Sequence, residues 1–395
     1  MLFLKIKDIS KFSLAYFLSH VLRLFGLGKD IWIITERRNE CKDNGYHFFK
    51  YIRAKYPQQK TFYAIDKGAI DLKKITDLGN ILYFNSFKHY LFSFLATRLI
   101  GAFNPVGIPD SFSFYKFPDL VRGKKVFLQH GIIKEYIKSL VYPNITVHMF
   151  CCGAKPEYEY VKKIFGHPEA VVQYLGLCRY DNLNYYSIKK QILVMPTWRQ
   201  FLPSHTFEIK GERQNLETEQ EFLKSEYYAH YSSFLNNKEL ISFLEKEDYR
   251  LVFYLHHELQ HFTSLFKSSS KHIVVANNKE HDVQMLLKES EVLITDYSSV
   301  AFDFAYMGKP LFYYQFDEVE YYKSHYARGY FEYRTMGFGP VAINENELIT
   351  HLLKSFDYNN NKFDNKDEFF KRTEHFFQLR DGSNCERTYE AISGL

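Results

Sequence analysis

Cysteine is scarce in this sequence, and its arrangement excludes two classes of small stabilised protein. The 395 residues include five cysteines, an odd number without CxxC spacing. Neither a disulfide framework nor a structural zinc site is therefore indicated. We interpret the five as reduced thiols of a cytoplasmic protein: Cys41, Cys151, Cys152, Cys178 and Cys385.

Long apolar runs and strong charge of one sign are also missing. No stretch reaches the ~18–20 uninterrupted apolar residues of a membrane span. The apolar N-terminus lacks the small-residue cleavage site of a signal peptide. A net charge of +5 is too mild to predict nucleic-acid binding, although it suits an anionic membrane surface or phosphate-rich substrates.

The first thirty residues predict an amphipathic helix. Apolar residues recur on one helical face, with lysines and an arginine nearby. Such a helix fits the headgroup layer of an anionic membrane, and packing against the protein itself is an equally weighted alternative. The predicted face comprises Leu14, Phe17, Leu18, Val21, Leu22 and Phe25.

Short apolar runs alternate with helix-length segments over the rest of the chain. This pattern is typical of parallel sheets with crossover helices. Two series of runs predict an α/β protein of two Rossmann-like lobes that face each other across a cleft, with ligands at the strand ends. The runs are 31–35, 61–66, 80–84, 98–103, 125–130, 146–153 and 171–177, then 191–197, 250–256, 272–277, 291–296 and 310–316.

The predicted organisation has four parts. The amphipathic segment covers residues 1–29, the first lobe 30–185 and the second lobe 186–365. A C-terminal helical segment, 366–395, packs back across the lobes.

The most informative local run is LITDYSSVAFDFAYMGKP, residues 293–310. A strand is predicted to end at Thr295 and Asp296, and Ser298 and Ser299 form the turn into a helix. Hydroxyls and free amides at a helix start favour phosphate binding. The alternative is that Ser298 only caps the helix.

Two histidines end predicted strands. His130 precedes Gly131, which permits a sharp exit, and an imidazole there can take a proton from an alcohol. A structural role for His130 is the alternative. His256 begins an HHxxxH sequence with His257, of which at most one should face the cleft. Without a helical HExxH pattern, a metal site there is not favoured.

Two basic residues also follow strand ends. Arg199, in the sequence PTWR with Thr197, suits bidentate phosphate contact, and a surface ion pair is the alternative. Lys134 could reach an anionic group near His130. P-loop, GxSxG and DxD motifs are missing, which leaves a metal-free transferase as the coherent prediction.

Together these motifs resemble the CDP-glycerol:poly(glycerophosphate) glycerophosphotransferase family of teichoic acid and capsule-polymer enzymes. The resemblance covers most of the chain after residue 30, and TDYSSxxFDFxxxxKP is its specific motif. It is carried by WIITER (32–37), DNGYHFFKY (43–51), QHG (129–131), PTWR (196–199), the end of the run at 256, residues 295–310, and DG to ER (381–387).

The resemblance implies a GT-B-like fold and a peripheral position on the cytoplasmic side of the cell membrane. It implies transfer of glycerol phosphate from CDP-glycerol or a relative such as CDP-ribitol to a lipid-linked or capsular polymer, with release of CMP. No cofactor and no nucleic acid are expected. The first lobe would hold the acceptor and the second lobe the donor.

The resemblance also implies residue roles. His130 matches the general base and His256 a second essential histidine. Gly131 and Lys134 would lie on the acceptor side, where this chain has Ile132 in place of the family's frequent threonine. The implied donor and phosphate contacts are Thr197, Arg199, Thr295, Asp296, Ser298 and Ser299.

Two other functions remain open at this point. One is a glycosyltransferase of the same two-lobe architecture that uses a sugar nucleotide, because fold alone does not separate the two chemistries. The other is a membrane-bound scaffolding subunit that has lost catalysis.

Overall fold

The computed structural model describes residues 2–26, 28–103, 107–183, 187–202, 212–324 and 327–395. The chain divides into two compact lobes, each with its own parallel sheet. The first lobe comprises the chain up to Ile132, Lys138–Asn182 and Gln378–Leu395. The second lobe comprises Ile133–Ile137 and Leu183–Phe377. The predicted α/β class with two Rossmann-like lobes is confirmed.

The sheet of the first lobe has seven strands in the order β3-β2-β1-β4-β5-β6-β7, all paired in parallel. Every residue of β1 is buried, as expected for a strand covered on both faces. The strands are β1 (Ile31–Thr35), β2 (Lys60–Ile65), β3 (Ile81–Tyr83), β4 (Arg98–Gly101), β5 (Lys124–Phe127), β6 (Met149–Cys152) and β7 (Val172–Tyr174).

Alternation along β1 builds two separate cores. Trp32 and Ile34 point to a cluster that contains Phe48 and Phe49. Ile31 and Ile33 join a cluster on the other face, because successive side chains of a strand point in opposite directions. The helices of this part of the chain are α1 (Leu2–Leu24), α2 (Asn44–Lys55), α3 (Phe87–Leu95), α4 (Phe112–Lys116) and α5 (Lys155–Ile164).

The second lobe repeats the same winding with six parallel strands in the order β10-β9-β8-β11-β12-β13. The strands are β8 (Lys189–Met195), β9 (Arg250–Tyr254), β10 (Ile273–Ala276), β11 (Ser290–Thr295), β12 (Leu311–Tyr314) and β13 (Val341–Ala342). A two-stranded antiparallel pair follows, β14 (Phe356–Asp357) with β15 (Lys362–Phe363).

The helices after residue 190 cover the second sheet and close the chain. They are α6 (Glu212–Leu223), α7 (Glu226–Phe234), α8 (Lys238–Glu247), α9 (Val283–Glu289), α10 (Val300–Tyr306), α11 (Glu318–Ser324), α12 (Tyr333–Met336), α13 (Glu345–Lys354), α14 (Asp367–Phe376) and α15 (Asn384–Ser393). Each of the twelve predicted apolar runs overlaps a strand. The two-residue strand β13 was not predicted.

The C-terminal segment is divided between the lobes. Helix α14 belongs to the second lobe and α15 to the first. The Asp181 carboxylate accepts hydrogen bonds from the amides of Asn384 (2.9 Å) and Cys385 (2.7 Å), which caps the start of α15. The ring of Tyr389 stacks on Tyr56 with centroids 3.7 Å apart. These contacts fix the last helix on the first lobe.

Helix α1 packs on α3 and α4 through a face that overlaps the predicted one at Leu22. Phe12, Ala15 and Ser19 are buried there. The opposite side carries large apolar side chains that remain exposed: Ile6, Ile9, Leu14, Phe17 and Leu24, with Phe25 just beyond the helix end. The helix is therefore apolar on two sides, one packed against the protein and one in contact with solvent. None of the described helices is long and apolar enough to cross a membrane.

Candidate functional site

Both sheets reverse their strand order beside their first strand. In the first lobe the reversal lies between β1 and β4, and in the second between β8 and β11. Open α/β sheets bind ligands outside the carboxyl ends of the strands at this switch point. Most of the predicted site residues lie at one or the other of these two places.

His130 lies three residues beyond β5, next to the switch point of the first lobe. Its Nδ1 is 3.2 Å from the carbonyl oxygen of Ala102, at the end of β4. Its ring stacks on Phe103, with centroids 4.3 Å apart and planes 15° apart. Because a carbonyl only accepts, Nδ1 carries the hydrogen in the neutral ring and Nε2 keeps a lone pair.

The surroundings lower the pKa of His130. Neighbouring atoms remove part of the hydration of the imidazolium, and Arg179 and Arg37 repel it, although Asp43 and the Ala102 carbonyl act in the opposite direction. The ring is therefore mainly neutral at physiological pH, because the ordinary histidine pKa is about 6.5. A neutral ring with a lone pair on Nε2 is the form that a general base requires.

A buried amide holds the segment before His130. The Asn44 side chain donates to the Gln129 carbonyl (2.9 Å) and accepts from the Arg179 amide (3.0 Å). Gln129 has a φ of +63°, which is uncommon for a residue other than glycine. The Gln129 side chain in turn donates to the Cys151 carbonyl. This network determines where the strand end turns and so where the imidazole lies.

Glu36 anchors the start of α2, from which Asn44 comes. Its buried carboxylate accepts from the amides of Lys42 (2.8 Å), Asp43 (2.9 Å) and Tyr46 (2.7 Å). Burial, and then the charge of Asp43, raise the pKa of Glu36 to about 7. The sequences WIITER and DNGYHFFKY thus belong to one structural unit behind His130.

A cavity of about 260 Å³ lies at the switch point of the first lobe. Phe103, the ring that stacks on His130, forms part of its wall. Arg38 is part of the lining. One nitrogen of its guanidinium lies 3.0 Å from a carboxylate oxygen of Asp110, and another lies 2.9 Å from a carboxylate oxygen of Asp66. The Tyr115 hydroxyl donates to Asp110 (3.0 Å). The remaining lining residues are Glu36, Arg37, Phe84, Ile108 and Pro109.

At the switch point of the second lobe the corresponding place is filled by an ion-pair network. Asp296 accepts from the Thr197 amide (2.8 Å) and contacts Arg199 (2.8 Å). Asp317 binds the same guanidinium at 2.6 and 3.0 Å. Both Arg199 and Asp296 have no exposed surface. Burial alone would lower the pKa of Arg199, but the two carboxylates outweigh it and raise that pKa well above its usual range.

The structure places Arg199 in a buried network of carboxylates. Its nitrogens are bound by Asp296, Asp317 and the Thr197 carbonyl, so the guanidinium presents no surface to a phosphate in this arrangement. It is likewise not the surface ion pair considered as the alternative. Arg199 instead links the ends of β8 and β11. Sequence alone gave no indication of Asp317, the second carboxylate.

Thr197, Thr295 and Tyr297 also lie at the ends of β8 and β11. The Thr295 hydroxyl donates to the Met195 carbonyl (2.7 Å), which ties β11 to β8. The buried hydroxyl of Thr197 has no hydrogen-bond partner among the described residues. Tyr297 donates to Asp317 (3.3 Å) and stacks on Tyr321 with centroids 3.8 Å apart. Asp296, Thr295 and Thr197 therefore hold the strand ends together.

Ser298 and Ser299 lead from this tip into α10. Ser298 is half-buried and Ser299 is exposed. The Ser298 hydroxyl accepts from the Val300 amide at 3.5 Å, and Ser299 makes no side-chain cap of the helix. The serine turn is thus the part of the motif that is accessible to a ligand.

His256 follows β9 and is half-buried. Its Nδ1 accepts from the Glu258 amide at 3.3 Å, so the hydrogen of the neutral ring is on Nε2. Its ring lies against Trp198, with centroids 6.2 Å apart. His257 is more exposed and contacts Glu258 at 3.3 Å. Of the pair, His256 packs against the end of β8.

The remaining predicted residues lie on either side of the lobe boundary. Gly131 follows His130 directly in the first lobe, whereas Lys134 belongs to the second. Lys134 is buried and paired with Glu135. A Cβ at Gly329 would lie 2.1 Å from the Lys134 carbonyl oxygen, so glycine is required for this close approach. Among the described residues, no group of three His, Cys, Asp or Glu is arranged to hold a metal ion.

The supporting residues Asn44, Gln129 and Glu36 were not identified as functional from sequence. All three lie in motifs that carry the family resemblance, but those motifs did not indicate what the three residues do physically. The role of Asn44 depends on contacts with residues 84 or more positions away, namely the Leu128–Gln129 backbone and the Arg179 amide. Periodicity and local spacing do not report such contacts.

The chain is similar in sequence to proteins of teichoic acid synthesis. The chain is 32% identical over 391 residues to the minor teichoic acid biosynthesis protein GgaB of Bacillus subtilis, covering 98% of this chain and 42% of that protein. It is 27% identical over 207 residues to a teichoic acid poly(glycerol phosphate) polymerase of Bacillus spizizenii, covering 52% of this chain and 45% of the relative. The chain thus spans less than half the length of these relatives.

A solved structure shares the fold. The wall teichoic acid polymerase TagF superposes with a TM-score of 0.62 at 17% identity, covering 99% of this chain and 98% of that one. At this identity the likeness establishes the fold.

A family model decides membership. Residues 179–394, more than half of the chain, match the model of CDP-Glycerol:Poly(glycerophosphate) glycerophosphotransferase. The matched part includes the ion-pair network of the second lobe, the serine turn and His256. The chain belongs to the CDP-glycerol:poly(glycerophosphate) glycerophosphotransferase family.

Proposed function

We propose that this chain transfers an alditol phosphate, glycerol phosphate in the first instance, from a CDP-activated donor to a hydroxyl of a membrane-linked or capsular polymer. Membership of the family supports the reaction class. The observation that carries the proposal is the state of His130, whose Nδ1 donates to Ala102 and whose Nε2 keeps its lone pair. A transferase that uses an alcohol as nucleophile needs such a group.

The reaction begins with proton removal from the acceptor. Nε2 of His130 takes the proton while the hydroxyl oxygen attacks the phosphorus that bears the alditol. A new oxygen–phosphorus bond forms, the bond from that phosphorus to the bridging diphosphate oxygen breaks, and CMP leaves with the electron pair. The low pKa of His130 keeps the ring ready to accept a proton at neutral pH.

The second lobe is proposed to bind the donor. The Nε2–H of His256 and the exposed serine turn at Ser298–Ser299 would donate hydrogen bonds to the phosphates and to the leaving CMP. Such fixed donors stabilise charge that develops in the transition state. Arg199 would act indirectly by holding Asp296 and the strand ends in place. No metal ion takes part in the proposed reaction.

The exposed apolar side of α1 is proposed to rest on the cytoplasmic face of the membrane. Phe17, Leu24 and Phe25 are each more than 60% exposed, and Lys5 and Lys7 lie on the same helix. Apolar side chains enter the lipid boundary while lysines contact anionic headgroups. The double substitution Phe17→Ser and Leu24→Ser should release the protein from vesicles that contain anionic lipid. Unchanged co-sedimentation would exclude α1 as the contact.

The reaction class is tested by CMP release. The purified protein is incubated with CDP-glycerol, CDP-ribitol or a panel of UDP-sugars, a glycerol-phosphate primer, and EDTA. We expect CMP from at least one CDP-alditol and no loss of rate with EDTA. Turnover of a UDP-sugar alone would establish the glycosyltransferase alternative, and loss of activity with EDTA would contradict the metal-free reaction.

A further inference from the structure

We infer that the cavity at the switch point of the first lobe, defined by its lining above, binds the terminal polyol unit of the acceptor rather than one of its phosphates. This inference rests on the proposed function and makes it more specific. The ligand class is a neutral unit with several hydroxyls, either an alditol or a sugar.

The position of the cavity supports binding of the acceptor. The cavity lies where the strand order reverses between β1 and β4, the place where open α/β sheets bind ligands. Phe103 belongs both to its wall and to the stack that holds His130. A hydroxyl-bearing unit in the cavity is therefore close to the proposed base.

The charges around the cavity favour a neutral polyol over a phosphate. Arg38 is already bound by Asp66 and Asp110, and Arg37 lies 3.7 Å from Glu40 and over the ring of Phe103. Asp66, Asp110 and Glu40 together balance the two guanidinium groups. A phosphate dianion or diester would meet no uncompensated positive charge here, whereas a neutral ligand avoids the repulsion.

The polar groups of the wall suit hydroxyls. Asp110 accepts from Tyr115 and from Arg38. Carboxylate oxygens have further lone pairs that can accept from ligand hydroxyls. Phe84, Phe103 and Ile108 supply apolar surface for the carbon skeleton. Apolar walls with a few placed polar groups are the usual composition of a small-molecule site.

The cavity is small. Its volume of about 260 Å³ is just below the ~300–1,000 Å³ of pockets for drug-sized ligands. One polyol unit fits such a volume, which suits the end of the acceptor chain, where the nucleophilic hydroxyl is.

A matched pair of substitutions tests the inference. Both Asp110 and Asp66 pair with Arg38, at 3.0 and 2.9 Å. Asp110→Asn changes the carboxylate that lines the cavity, and Asp66→Asn changes the carboxylate that lies outside the lining. We expect Asp110→Asn to raise the KM for the primer about tenfold, the scale of one hydrogen bond to a charged group. The KM for the CDP donor should stay the same, and Asp66→Asn should change the primer KM less than threefold.

Direct binding separates this inference from the proposed reaction. Saturation-transfer NMR, without donor, would compare glycerol, ribitol and inorganic phosphate on the wild type and on Asp110→Asn. We expect contact with the polyols that Asp110→Asn weakens, and no competition from phosphate. Displacement of the polyols by phosphate, or equal primer KM in both variants, would overturn the inference even if CMP release proceeds. Failure of CMP release with intact polyol contact would instead refute the proposed reaction.

Discussion

The two lobes share one winding but use their switch points differently. In the first lobe the strand ends leave a cavity bordered by paired charges and lie next to a histidine with a lone pair on Nε2. In the second lobe the same place is filled by the buried network of Arg199, Asp296 and Asp317. Topology alone therefore does not determine where a ligand binds. The side chains at the strand ends decide what occupies the switch point.

The two histidines differ in the same way. His130 gives its Nδ1 hydrogen to a carbonyl, and His256 accepts an amide hydrogen at Nδ1. The first ring can therefore accept a proton at Nε2, while the second can donate there. In the proposed reaction, His130 would supply the base and His256 a hydrogen-bond donor for the departing CMP.

The largest effect is expected from His130→Ala. Loss of a general base should reduce kcat for CMP release by ~10²–10⁴-fold, with donor affinity unchanged. In the wild type, kcat/KM should fall as the pH drops through the lowered pKa of His130, so the acidic limb lies below about 6.5. An acidic limb that persists in His130→Ala would assign the base to another group and remove the contrast between the lobes.

Arg199→Ala should act on stability. Its removal leaves Asp296 and Asp317 buried without their partner, and breaking such a pair costs ~3–5 kcal/mol of unfolding free energy. Urea unfolding of the ligand-free protein measures this cost.

Arg328→Ala is the control, because Arg328 also contacts two carboxylates but is more than half exposed. An exposed pair contributes about 1 kcal/mol or less. Equal stability of both variants, together with weaker donor binding in Arg199→Ala, would restore Arg199 as a phosphate ligand.

His256→Ala should lower kcat while keeping the acidic limb of the wild type. Removal of one donor to a developing charge costs ~10²–10³-fold in kcat. His257→Ala, one position away and exposed, should change kcat little. If the two effects are reversed, His257 is the functional member of the pair.

Asn44→Ala should have the smallest effect on turnover. It removes the hydrogen bonds to the Gln129 carbonyl and the Arg179 amide, each worth ~1–3 kcal/mol when a buried group is left unpaired. We expect a decrease of kcat/KM of about tenfold together with a shifted acidic limb, because the imidazole moves relative to Ala102. A lower melting temperature with an unchanged pH profile would indicate a purely structural role.

Much of this architecture follows from sequence. The apolar runs predicted all twelve long strands of the two sheets, because both faces of a parallel sheet must be apolar. They did not predict β13, whose two residues are too few for a pattern. The sequence predicted His130 and His256 as the last residues of strands, and the structure places them three and two residues beyond the ends of β5 and β9.

The remaining features depend on long-range contacts. Residues 133–137 join the second lobe because Gly329 admits their backbone, and α15 joins the first lobe because Asp181 caps it. Arg199 appeared to be a phosphate ligand because a strand-end arginine has that use in many proteins. Only Asp317, more than a hundred positions away, shows that its guanidinium is already bound.

The contrast between the two histidines is tested most directly by ¹⁵N NMR of the imidazole nitrogens at neutral pH. His130→Gln and His256→Gln variants would assign the two signals. We expect His130 to be neutral with its hydrogen on Nδ1, and the neutral ring of His256 to carry its hydrogen on Nε2. A His130 ring with its hydrogen on Nε2, or charged at pH 7, would contradict its assignment as the base.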